Sequence, residues 1–217
     1  MEIKTPRKSV NKAYLKQKPL ETDICGFAQS LQEYLNNINE HESEEHHKKF
    51  VTQLLEDSGY GKDYYINTHG NVDFVINTGK KADDAPGVLI ETKKPGNRQE
   101  MPSKNDLHAK AIYELILYYL QEKYDNGNHY IKHLIATDFR EWFIFDENEF
   151  DKYVYGNKQV LKDYEEFKQS GHRADFFYNE VARPLIGEIQ DQTGETPDPD
   201  STELGRLLFN EPQVAEA

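Results

Sequence analysis

Two short apolar runs, Asn71–Ile76 and Gly87–Lys94, constrain this 217-residue chain more than any other stretch. β-Branched and aromatic residues dominate both, Gly, Asn and Pro bound them, and the polar segment Asn77–Pro86 joins them, so they read as two strands of a hairpin. In the second, a side-chain period of two puts Leu89, Glu91 and Lys93 on one face and Val88, Ile90 and Thr92 on the other. The near-continuous apolar character requires cover on both faces. Two charges at the end of such a strand are expensive unless paired or functional. Asp73, between Val72 and Phe74, reaches the same end of the hairpin.

The spacing is Asp, seventeen residues, Glu, one residue, Lys. Hard carboxylate oxygens hold Mg²⁺ while leaving coordination positions for water and a substrate phosphate. A neighbouring lysine can hold or deprotonate an attacking water. Together these groups equip a chain for metal-assisted phosphodiester hydrolysis. The same spacing also fits a salt-bridged Glu91-x-Lys93 with Asp73 as a cap at the loop edge, since ionic clusters are often only structural.

Composition narrows the setting. Mean hydropathy is −0.88 and 30% of residues are charged, but 14 Tyr and 11 Phe are far too many aromatics for a disordered chain. The longest apolar run, Leu115–Leu120, is too short to span a bilayer, and no signal-peptide pattern stands at the start, so a cytoplasmic location without a membrane is expected. Cys25, the single cysteine, excludes internal disulfides and thiolate zinc sites, and reads as a small buried hydrophobe. The net charge of −13 opposes a broad phosphate-binding surface. It is uneven, however: a basic arm over residues 1–20 and an acidic tail over 191–217 flank a middle that is still acidic, although around the second strand Lys93, Lys94, Arg98, Lys104 and Lys110 outnumber Glu91, Glu100 and Asp106.

Helical spacing predicts a first amphipathic helix over Asp23–Asn39 and a second that starts after Ser43 and stops near Gly59. The buried stripe of the second runs back through His47 and Glu44, while Glu45 leans away. Glu44 is either a first-turn acid favoured by the helix dipole or a group aimed at Asp73 and Glu91. His46 and His47, being consecutive, face different sides of their helix and read as surface residues rather than metal ligands. A strand over 64–67 precedes the hairpin. A helix is expected over 104–124, where Lys110, Glu114 and Tyr118 form a stripe that reads as a solvated pair with an aromatic neighbour or, alternatively, brings Lys110 and Tyr118 toward the site or a phosphate. Strands over 131–136 and 142–145, a helix over 147–170 and a last helix over 175–189, kinked by Pro184, complete a folded domain of residues 21–190. The tail reads as largely disordered, with a short docking helix around Leu204–Phe209. No Gly-rich phosphate loop, Gly-x-Ser-x-Gly elbow or metal-spaced histidines are present, which removes NTPase, dinucleotide, serine-hydrolase and His-zinc readings.

The order helix, three strands, helix, strand, with Asp73 on the second strand and Glu91-Thr92-Lys93 on the third, resembles the PD-(D/E)xK nuclease superfamily. Val72 stands where the nominal Pro would be. Leu35–Glu40, Ser43–His46, Tyr65–Thr68, Glu114–Tyr119 and Glu141–Phe145 are similar to the amino-terminal nuclease domain of single-chain type IIG restriction–modification enzymes. The resemblance covers roughly residues 20–190. It implies an α/β fold with a restriction-endonuclease-like α-β-β-β-α-β core, a mixed central sheet flanked by helices. It further implies a Mg²⁺-dependent DNA endonuclease acting on double-stranded DNA, with Mn²⁺ as a substitute. Asp73, Glu91 and the backbone carbonyl of Thr92 would bind the metal, Lys93 would position the water, and Glu44 would be the helix carboxylate. Members of that group continue into an adenine methyltransferase domain with an Asn-Pro-Pro-Tyr motif, and this sequence has no Asn-Pro pair. No methyltransferase activity is therefore expected, and a methyltransferase or specificity subunit, or a second copy in a homodimer, is an expected partner. The alternative from a different class is a catalytically inactive nuclease-fold module for DNA binding or protein interaction.

Overall fold

The computed structural model describes Lys8, residues 12–70 and residues 72–193. Much of the basic arm, Asn71, nearly all of the acidic tail and its expected docking helix lie outside those residues. The fold is α/β, a mixed five-stranded sheet flanked by helices. Helices α1 (Glu21–Asn36) and α2 (Glu44–Asp57) come first. They are followed by strands β1 (Ile66–His69), β2 (Val72–Asn77) and β3 (Pro86–Thr92). Helix α3 (Lys110–Leu120) crosses to β4 (His133–Thr137) and β5 (Trp142–Asp146), and α4 (Lys158–Ser170) and α5 (Arg183–Thr193) close the chain.

The strands lie in sequence order, and every neighbouring pair is antiparallel except β3 and β4. A parallel pair needs a long crossover, and α3 supplies it. Because β3 is central, it is buried on both faces, as its apolar run requires. On one face Phe74, Ile76 and Ile90 pack with Tyr34 of α1 and Val51 and Leu54 of α2. On the other, Val75, Leu89 and Leu134 meet α3 and the carboxy-terminal helices. Every residue from Ala111 to Leu120 is buried, so α3 is the spine of the second layer.

Several expectations are corrected. Helix α3 begins at Lys110 rather than near 104, because Ser103 and Asp106 bond each other's backbone in a turn (Ser103 N–H to Asp106 O, 2.7 Å; Asp106 N–H to Ser103 Oγ, 3.1 Å). The helix expected over 147–170 divides. One turn (Glu147–Phe150) runs into a π turn (Asp151–Tyr155), and Asn157 then caps α4 through the Gln159 and Val160 amides. The last helix likewise contains a π turn, Tyr178–Ala182, just before Pro184, whose missing N–H makes a regular ladder impossible there. Cys25 is exposed, because it faces away from the stripe of α1 that carries Leu31 and Tyr34. Among the described residues no helix is long and apolar enough to cross a membrane.

Candidate active site

One step beyond the last ladder pair of the hairpin, Phe74 with Ile90, stand Asp73 and Glu91. Strict alternation fails here: Phe74, Val75 and Ile76 go to opposite layers in turn, but Val72 packs in the same layer as Val75. The Asp73 carboxylate leaves the ladder and binds the start of the next segment. Its Oδ2 accepts from the Thr92 amide at 2.8 Å and the Thr92 hydroxyl at 2.6 Å, and its Oδ1 pairs with Lys48 Nζ at 2.8 Å. Burial pushes the Asp73 pKa up, but the Lys48 and Thr92 bonds outweigh it and hold the group below its ordinary value. Asp73 is ionised.

Glu44, the first residue of α2 after the Ser43 cap, reaches the same place, with Oε1 3.1 Å from Thr92 Oγ1. The Thr92 hydroxyl carries one proton and shares it between the Glu44 and Asp73 carboxylates. Burial first, and then the Asp73 charge, push the Glu44 pKa upward, while Lys93 and the Thr92 bond oppose the rise. Glu45 points outward, 79% exposed, and pairs with Lys48 at 2.8 Å.

On the α3 side of Thr92, Glu91 and Lys93 are 3% and 5% exposed. Lys93 Nζ makes a very short bond to Glu91 Oε1 and lies 2.6 Å from Glu114 Oε2, an ion pair not aligned as a hydrogen bond. Glu91 Oε2 is buried with no hydrogen-bond partner. Burial is the largest influence on Glu91 and raises its pKa to about 9, with Glu114 and Asp73 adding to the rise and Lys93 opposing it. Burial works against the Lys93 charge, but Glu91 and Glu114 overcome it and push its pKa up. Lys93 is therefore a firm cation that can hold and orient, not a base that can take a proton. Burial and the charges of Glu91 and Glu114 also push Tyr118 upward, keeping its phenol neutral beside them.

Thr92 thus divides the expected residues into two adjoining groups: Asp73 and Glu44 with Lys48, and Glu91 and Lys93 with Glu114. Among the described residues no three His, Cys, Asp or Glu side chains form a group able to hold a metal ion. Asp73 and Glu91, on either side of Thr92, are hard-oxygen groups, and the unpaired, buried Glu91 Oε2 is an acceptor of the kind a divalent cation satisfies.

Two participants escaped the sequence reading. Glu114 was assigned to a solvated stripe, but it and Tyr118 are 8% and 6% exposed; only Lys110 of that stripe is exposed. The apolar residues that surround Glu114 in sequence were the signal. Lys48 stands four residues after Glu44, hence on the same face of α2. His47, expected at the surface, is fully buried: Nε2 accepts from the Asn39 amide at 3.0 Å and Nδ1 donates to Ser43 O at 2.8 Å. That pair of bonds fixes the neutral tautomer, and burial holds its pKa down. It anchors the start of α2, and so Glu44.

The chain belongs to a family described as a domain of unknown function (DUF7149), whose family model matches residues 4–196. No curated protein and no solved structure matches it.

Proposed function

We propose that this member of the DUF7149 family is a metal-dependent DNA endonuclease domain built on a restriction-endonuclease-like core. The observation that carries the reading is the buried Glu91–Lys93 pair on the central strand, with Glu91 Oε2 unpaired and Asp73 anchored on the intervening Thr92. The element order α2-β1-β2-β3-α3-β4, with β3 parallel to β4, supports it. Asp73, Glu91 and the Thr92 carbonyl would hold Mg²⁺, which when bound would polarise a water and offset charge on the phosphodiester. Lys93, cationic beside Glu91 and Glu114, would orient that water for in-line attack. The Thr92 hydroxyl and amide keep Asp73 ionised and placed, and Glu44 extends the acid set from α2.

A second reading, a non-catalytic module for DNA binding or protein interaction, draws support from one residue. The Lys48 ion pair and two Thr92 bonds already satisfy Asp73. Plasmid nicking by the full chain separates the two. The nuclease reading expects weak, poorly specific nicking in Mg²⁺ that EDTA abolishes, and that folded Asp73→Ala and Glu91→Ala variants lack. Absence of nicking in Mg²⁺ and in Mn²⁺, or nicking that survives both substitutions, would sink it.

A further inference from the structure

Beside Glu114 lies a cleft of about 570 Å³ that the proposed chemistry does not use. Its wall runs from Lys110, at the start of α3, to Arg183, at the start of α5. Between them stand Tyr113 and Tyr178, their ring centroids 6.5 Å apart and tilted by 30°. Tyr113 is held in place: His108 Nδ1 lies 3.0 Å from its hydroxyl, and the Arg183 guanidinium sits 5.9 Å from its ring centre. Tyr178 and Asn179 belong to the π turn, a distortion that re-aims side chains and recurs at functional sites. The amides of Gln99 and Asn179 complete the polar lining.

The chemistry of this wall is mixed in a particular way. Two cations, Lys110 and Arg183, and one acid, Asp175, line it in a chain whose net charge is −13, and Lys110 also stands 3.5 Å from Glu100 and 3.8 Å from Glu114. Cations suit a phosphate, aromatic rings suit a base face, and side-chain amides suit a base edge. The cleft also adjoins the site: Lys110 Nζ is 3.8 Å from Glu114 Oε1, and the other oxygen of Glu114 is 2.6 Å from Lys93 Nζ.

We infer that this cleft holds one unstacked nucleotide, its phosphate on Lys110 and Arg183 and its base against Tyr178. Its position next to the reacting phosphate rests on the nuclease reading; the nucleotide site itself does not. A strand with an unpaired nucleotide, as in single-stranded or locally opened DNA, is then the preferred substrate.

The test uses the full chain in EDTA, where no cleavage can occur. Anisotropy of a labelled single-stranded oligodeoxynucleotide measures binding, with deoxyadenosine monophosphate and inorganic phosphate as competitors. The nucleotide should compete at least tenfold better than phosphate. Tyr178→Ala and Arg183→Ala should each weaken it roughly fivefold or more, in the range of base stacking on an aromatic. Lys162→Ala, on the exposed side of α4, should leave it unchanged. Equal competition by nucleotide and phosphate would overturn the inference, as would wild-type nucleotide binding in an Arg183→Glu variant whose circular dichroism is native. Nicking in Mg²⁺ without nucleotide binding would remove the cleft and keep the nuclease; nucleotide binding without nicking would do the reverse.

Discussion

Two lysines at opposite ends of α3 each sit between two carboxylates, and they are not equivalent. Lys93 lies between Glu91 and Glu114, with Tyr118 nearby; Lys123 lies between Glu147, at 2.5 Å, and Asp151, at 3.1 Å, with the Tyr119 hydroxyl donating to Glu147 at 3.0 Å. Residue types match almost one for one. Surroundings do not. The Glu91 and Glu114 side chains are 4% and 11% exposed; Glu147 is 16% exposed, but Asp151, at 49%, is open to water. The Lys93 group also has a buried carboxylate oxygen with no partner, while Glu147 Oε1 has two. A partly buried ion group with one carboxylate open to water is a clasp between two turns. A buried one with an unpaired oxygen carries a cost that stability alone does not account for.

The largest expected effect breaks this comparison directly. Lys93→Ala leaves Glu91 and Glu114 facing each other in a dry layer, and removing one member of a buried ionic group costs about 3–5 kcal/mol. Lys123→Ala leaves Glu147 partly buried but Asp151 open to water, for a smaller loss of about 1–3 kcal/mol. Nicking should vanish in Lys93→Ala, assayed at low temperature where it is folded, and persist in Lys123→Ala. Urea unfolding and plasmid nicking measure both. Equal losses of stability, or equal nicking, would make the two groups the same kind of object.

A middle-sized effect concerns pH. In EDTA the folded pKa of Glu91, about 9, stands above its ordinary 4.5, so the folded state holds that proton more tightly than the unfolded chain does. This contribution is fully present below pH 4.5 and is lost as pH rises through about 9. Wild type should therefore lose stability across that window by about 1–3 kcal/mol, the scale of an unsatisfied buried polar group. Glu91→Gln, which cannot ionise, should have a flatter profile and match or exceed wild type at the alkaline end. A wild-type profile as flat as that of Glu91→Gln would mean that Lys93 fully compensates Glu91.

These contrasts explain what could be read from the chain and what could not. Strands β2 and β3, their burial, and Asp73, Glu91 and Lys93 near one end of them were legible, because a period of two and a run of apolar residues are local facts. So was the outward lean of Glu45, which follows from helical phase. Glu114 was not: an isolated Lys110–Glu114 spacing looks like a solvated pair, and only the packing of α3 against the sheet shows that its second end is buried. His47 lay on the buried stripe by helical phase, but the groups that cover and bond it, Phe139 and Asn39, arrive from elsewhere in the chain. The π turns were unreadable because they depend on which neighbours their side chains reach. Local periodicity fixes what an element is, while the burial of its polar positions is decided by the partner that covers them.

The smallest expected effect asks which acid at the start of α2 belongs to the site. Glu44 touches Thr92, and its pKa is pushed up by burial and by Asp73; Glu45 is mostly exposed and bonded to Lys48. Glu44→Gln keeps a group of the same shape that can still hold the Thr92 contact, so its stability should change by no more than about 0.5 kcal/mol. Its nicking should nevertheless fall about 10- to 100-fold, the scale on which groups supporting a metal site act. Glu45→Gln removes half of an exposed ion pair, worth less than about 1 kcal/mol, and should nick as wild type does. Nicking rates of the two variants, each normalised to the folded fraction from its melting curve, give the answer. Equal rates would mean that α2 merely braces Asp73 through Lys48, and the acid set would shrink to the pair on either side of Thr92.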